Sequence, residues 1–209
     1  MAVRQIVTMG HPILQRSAEP VDDPTSAETR AIVQDMIDTL IDVSACGIAA
    51  PQIYSSKRIF TYRLTAERIP LGSTMVPIDW TTMINPVVTP VCEEKVPVWE
   101  RCLSIPGLHG KVPRFPQITV KHLTLEGKVA ETYAEGWLAA IFQHEIDHLD
   151  GILYPMRMTD LALLAFNSSP GRLAQDAATG TQMDPLYRKM VEGWPERDRW
   201  SGAEARTPP

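Results

Sequence analysis

Cysteine is scarce in this chain, and so is any long apolar run. The three cysteines, Cys46, Cys92 and Cys102, are an odd number and too few for a disulfide framework. Free or metal-bound thiols in a reducing compartment fit better. No stretch approaches the length needed to span a bilayer, the most notable apolar runs being residues 137–142 and 161–166. The first fourteen residues have no continuous apolar stretch of the kind that directs secretion, and they are poor in the Ser and Arg of organelle targeting, so a cytoplasmic protein is expected. Positive charge is also lacking. A net charge of −5 argues against stable nucleic-acid binding or adhesion to an anionic membrane, both of which need clustered cations. There is no internal repeat and no low-complexity tract. What is present is an ordinary globular composition, 44% hydrophobic and 22% charged, which supplies enough apolar residues for a sizeable core. A chain of 209 residues suits one domain better than two.

The residues up to Val21, broken by Gly10-His11-Pro12 and Pro20, predict extended and turn structure over the surface. Thr25 followed by Glu28 predicts a capped helix start, and Ile32, Val33, Met36, Ile37, Leu40 and Ile41 recur at helical spacing. A tight loop of small residues follows, Ala45 to Ala50, and it lets backbone or ligand approach closely. Residues 58–63, 82–88 and 118–125 predict short strands of a largely antiparallel sheet, with Glu126-Gly127 as a hairpin turn. The period then changes to that of a helix, with Trp137, Ile141, His144 and His148 on one face and Gly151 just past its end. Residues 168–209 predict a partly ordered extension in which acidic and basic side chains balance, with Trp194 and Trp200 packing it onto the body formed by residues 1–167.

Chemistry is concentrated in His144-Glu145-Ile146-Asp147-His148, an H-E-x-x-H arrangement. Four-residue spacing on a helix sets two imidazoles one above the other, so both can hold one metal ion, and Glu145 beside them can take a proton from water and pass it to a leaving amine. A catalytic site of this kind usually has a third protein ligand and an open position. The candidate is Cys102, in a strand-like segment ending at a proline turn, whose thiolate suits iron(II) or zinc. A zinc endoprotease ranks last, because no third His or Glu stands at the expected downstream helical spacing.

Three stretches, CGIAAPQ at 46–52, ERCLSIP at 100–106 and QHEIDHLDG at 143–151, occur in the order and at about the separations found in peptide deformylases, and the chain resembles that family. Met9–Leu14, Ile84-Asn85-Pro86 and Leu153–Arg157 extend the likeness to roughly residues 5–165. The resemblance implies an α+β fold with antiparallel sheets wrapped around a central metal-binding helix. It implies one divalent ion held by Cys102, His144 and His148, with iron(II) as the native metal and zinc or nickel as alternatives. Glu145 would act as general base and then acid, and Gln52 with the backbone N–H of Leu103 would donate to the oxygen of the tetrahedral intermediate. Formylated nascent peptides are the implied substrates, and formate is released. Gly47, Val98, Arg101, Trp137 and Ile141 would line the substrate pocket. Asp147 would pair with Arg114. Two positions depart from the family, which has glycine where this chain has Ala45 and Arg101. Ala45 would be strained if its φ is positive, and Arg101 could bind a carboxylate or narrow the groove. These departures keep two other functions open: an amidase for another small acyl-amine, or a metal-binding protein of the same fold without turnover. The charge-balanced tail gives no support to ribosome association.

Overall fold

In the computed structural model the described residues are 2–70, 72–178 and 183–197. The elements run α1 (Ala27–Val43), β1 (Gly47–Ala49), β2 (Ile59–Leu64), β3 (Ile78–Pro90), β4 (Val96–Cys102), β5 (Ile105–Arg114), β6 (Gln117–Leu123), β7 (Val129–Glu135), α2 (Gly136–Leu149), β8 (Ala165–Phe166), α3 (Arg172–Ala178) and α4 (Pro185–Glu192). Two antiparallel sheets result, one of five strands in the order β1-β2-β3-β6-β7 and one of three in the order β4-β5-β8. Helix α2 lies between them, so the fold is α+β with sheets about a central helix. No helix among the described residues is long and apolar enough to cross a membrane.

The larger sheet has a helix on each face. Along β2, Phe60 and Tyr62 point into a cluster with Phe142, Ile146 and Leu149 of α2, whereas Ile59 joins Val33, Met36 and Leu40 of α1 on the other side. That double burial is why residues 59–62 are all buried, the one polar member, Thr61, meeting the Thr82 hydroxyl at 3.0 Å. Helix α1 begins one residue later than the capping signal predicts. Ser26 is the N-cap and accepts from the Thr29 N–H, because Asp23 Oδ1 already takes both the N–H and the hydroxyl of Thr25 in a turn of its own.

Strand β4 was predicted only as the strand-like segment at Cys102, β5 not as a strand of its own, and β7 only as the far arm of the Glu126-Gly127 hairpin. Pro97, Pro106 and Pro113 interrupt the alternation in the first two, and the turn after Cys102 is made by Leu103-Ser104, with Pro106 already inside β5. Strand β3 is longer than predicted, and its Pro86 is tolerated because the β3–β6 pairing shifts register between Ile84 and Val87. Beside that proline, Asn85 adopts φ of 51° and clasps Val21 by two hydrogen bonds of 2.9 Å, its Oδ1 accepting from the Val21 N–H and its Nδ2 donating to the Val21 carbonyl. The opening segment is therefore pinned to the sheet. It also buries Val7 and Leu14, so it is part of the core as well as of the surface. Thr124, Gly127 and Lys128 close the predicted β6–β7 hairpin.

The extension contains α3 and α4 and is folded onto the body, but Trp194 is only partly buried and Trp200 lies outside the described residues. Leu173, Met183 and Tyr187 pack it instead, against Trp99 of β4.

Candidate metal centre

Helix α2 is apolar on more than one side, which suits a helix buried between two sheets. Its Phe142, Ile146 and Leu149 face the larger sheet, leaving His144 and His148 to face β4 and the turn after it. The two rings lie 5.0 Å apart, nearly perpendicular. Cys102 ends β4 and brings its Sγ to 3.1 Å from His148 Nε2. The ligand atoms of Cys102, His144 and His148 all lie within 4.8 Å of one another, the group among the described residues with this property. A thiolate and two imidazoles in that compass fit one divalent ion with a coordination position to spare. His144 Nδ1 is taken by Glu100 Oε2 at 2.7 Å, which orients its other nitrogen toward the same point.

Burial by itself would raise the Cys102 thiol, yet the charges of His148 and then His144 outweigh it and bring its pKa down to about 5. The thiolate also receives the Ser104 N–H at 3.3 Å and the Gln52 amide at 3.7 Å. Burial dominates at Glu145 as well: despite both imidazoles its carboxyl is pushed up to about 7, and its Oε2 has no hydrogen-bond partner. A carboxyl so poised suits proton transfer near neutrality.

Behind the ligands runs an ionic chain, buried from Glu100 to Asp147 and reaching solvent at Arg157. Glu100 takes Arg114 Nε and Nη2 at 2.6 and 3.1 Å, Arg114 Nη1 donates to Asp147 at 2.6 Å, and Asp147 also accepts from Arg157 at 2.8 Å. The predicted Asp147–Arg114 pair is thus present as the middle of a longer series. Burial opposes the charge on Glu100, but Arg114 and His144 overcome it and hold the carboxyl at about 2. Glu100 and Arg157 were given no role in the sequence. For Glu100 a signal existed: it stands two residues before Cys102, and in a strand such residues share a face.

Gln52 is buried, its Oε1 accepting the Ala49 N–H at 2.9 Å and its Nε2 reaching Ser104 Oγ at 3.1 Å, so its amide is fixed beside Cys102. Gly47 answers a steric demand, since a Cβ there would lie 2.6 Å from Glu145 Oε1. Ala45 is not strained. The positive φ of that loop falls on Ser44, at 53°, which caps α1.

A cavity of about 340 Å3 opens beside these groups. Val98, Trp137 and Ile141 line it, as do Gly47, Gln52, Leu103, Cys102, His144 and Glu145. Arg101 also faces this cavity, with its guanidinium 5.2 Å from the ring centre of Tyr187. All residues predicted for the pocket are therefore brought together, and the extension contributes Asp184, Leu186 and Tyr187, which were not foreseen.

Comparison with known proteins gives a consistent result. The family model described as polypeptide deformylase matches residues 3–163. Peptide deformylase 1 of Nitrosomonas europaea is 36% identical over 176 residues, 83% of this chain and 99% of that protein. The peptide deformylase of Thermomicrobium roseum is 38% identical over 184 residues, 87% of this chain and all of that one. Among solved structures, the class I type b peptide deformylase of Acinetobacter baumannii bound to Met-Ala-Ser superposes with a TM-score of 0.69 at 34% identity, covering 75% of this chain and 99% of that chain. The enzyme of Thermus thermophilus gives 0.64 at 38% identity, covering 75% and 86%.

Proposed function

This chain belongs to the polypeptide deformylase family, metal-dependent hydrolases that remove the N-formyl group from newly made proteins, and from that premise we propose how its own residues divide the work. Cys102, His144 and His148 would hold the ion, which when bound would supply Lewis acidity for the hydrolysis. Glu145 takes a proton from the attacking water as its oxygen adds to the formyl carbon. The Gln52 amide and the Leu103 N–H donate to the former carbonyl oxygen, where negative charge develops. As the C–N bond breaks, Glu145 returns its proton to the departing nitrogen, leaving formate and a free amino terminus. Glu100 keeps the His144 ring in place throughout. Val98, Trp137 and Ile141 accept the methionine side chain, and the cavity's apolar walls exclude bulk water there.

The observation that carries this proposal is the convergence of a strand thiol and two helix imidazoles beside a carboxyl raised to about 7. It is tested by formate release from formyl-Met-Ala. Glu145→Gln is expected to lower kcat by about 10²- to 10⁴-fold, the range for loss of general acid–base catalysis, while the protein retains its metal. Turnover by that variant near the wild-type rate would remove Glu145 from the chemistry.

We infer iron(II) as the native ion, in a reducing cytoplasmic setting, with support from the thiolate donor and the three free cysteines. Anaerobic purification followed by metal analysis addresses this directly. An iron enzyme should lose activity in air as the ion or its thiolate is oxidised, whereas zinc content with indifference to oxygen would overturn the assignment.

A further inference from the structure

The family match ends at residue 163, yet one side of the substrate cavity is built from residues beyond it. Asp184 does two things at once. Its Oδ1 accepts the Leu186 N–H at 2.9 Å and so starts α4, while its Oδ2 pairs with Arg68 at 2.6 Å. Both side chains of that ion pair are largely buried, and the Arg68 guanidinium also lies 5.9 Å from the Trp137 ring centre on α2. The preceding helix is tied down separately, because Asp176 of α3 accepts from Trp99 Nε1 at 2.8 Å and pairs with Lys111 of β5 at 2.5 Å. Leu186 and Tyr187 of the extension are thereby brought to the cavity. Tyr187 is 4% exposed, packed on Leu173, Met183 and Trp99 behind, and covered by the Arg101 guanidinium in front. No salt bridge to Arg101 is found among the described residues, so the ring is its evident partner.

We propose that Leu186 and Tyr187, with Arg101 clamped on the tyrosine ring, form a specificity wall that narrows the substrate cavity and selects slender, unbranched side chains on the first residue over ring-bearing ones. Resting on the deformylase activity proposed above, this wall acts on binding and leaves the reacting atoms alone. A rigid aromatic wall discriminates through sterics, and apolar pockets of this kind separate side chains by factors of about ten to two hundred.

The test is calorimetric titration of the metal-loaded enzyme with the product-like tripeptides Met-Ala-Ser and Phe-Ala-Ser. Wild type is expected to prefer the methionine peptide, and Tyr187→Ala and Arg101→Ala should each raise the relative affinity for the phenylalanine peptide by about tenfold. Tyr187→Phe, which keeps the ring, should leave the ratio at its wild-type value. An unchanged ratio in Arg101→Ala and in a cooperatively folded Tyr187→Ala would overturn the wall. Should Tyr187→Ala fail to fold, the ratio in Arg101→Ala decides alone. Because these peptides carry no formyl group, a wild type that discriminates between them but releases no formate would refute the activity and leave the wall standing.

Discussion

Gly47 has no side chain because Glu145 occupies the place where one would sit. An alanine there must push the carboxyl aside, since its Cβ would lie 2.6 Å from Oε1. The backbone φ at Gly47 is not in the left-handed region, so the fold should tolerate the change. Gly47→Ala is therefore expected to keep its melting temperature within a few degrees while kcat for formyl-Met-Ala falls on the order of 100-fold, as loss of a positioned general base requires. A variant that melts early and keeps its kcat would contradict the steric argument. Glu100 acts one step further from the chemistry, through His144. Glu100→Gln should weaken metal binding by about 10- to 100-fold, measured by competition with a chromogenic chelator. The same residue shapes acid stability. Its carboxyl has an ordinary pKa near 4.5 and is held at about 2 in the fold, so its ionised form stabilises the native state above about 4.5, and this contribution drains away as pH falls toward 2. Equal dependence of wild type and variant on pH between 4.5 and 2 would show that the carboxylate is not protected.

Among the elements, α2 carries the site and Gly151 decides how it ends. Asp150 closes the helix, and Gly151 at φ of 74° turns the chain toward the residues before Ala18, where an added Cβ would meet the Arg16 backbone at 2.8 Å. Left-handed backbone costs a non-glycine residue about 1–2 kcal/mol, and the clash adds to it. Gly151→Ala should accordingly lower the melting temperature by at least about 2–4 °C in calorimetry, with the metal site reporting the same loss of order. This element was legible in the sequence because two imidazoles four apart and an apolar face make a pattern that only a helix satisfies. Strand β4 was legible only at its Cys102 end and β5 not as a strand of its own, although β4 supplies Cys102, Glu100, Arg101 and Val98. Three prolines and two glycines break their alternation, and pairing between the two strands supplies the regularity that local composition withholds. The N-cap of α1 slipped by one residue for a similar reason, Thr25 being engaged by Asp23 before it can serve the helix.

Taken as one molecule, the protein closes three separate segments on a single point, and an ion held there by Cys102, His144 and His148 would tie β4 to α2. Removing it with a chelator should destabilise the whole fold, since a ligand that binds only the native state at about a thousandfold excess over its Kd contributes roughly 4 kcal/mol. A thermal melt unchanged by chelation and by metal restoration would mean that the centre is rigid without its ion. The sequence by itself determined that His144, Glu145 and His148 share one helix, because residue type and a fixed helical period suffice for that, whereas Cys102 joined them only through the family resemblance. Gln52, Val98 and Leu103 could be assigned from the family resemblance. Only the tertiary structure decided that Glu100, Arg114 and Asp147 form one buried series that ends on the exposed Arg157, that the strained loop position is Ser44 and not Ala45, and that α4 walls the cavity with Tyr187 beneath Arg101. The physical reason is the range of the forces involved: helical spacing and capping act over a few residues, whereas a buried charge or an aromatic ring finds its partner wherever the packed chain brings one within a few ångströms, here across separations of 14, 33 and 86 positions.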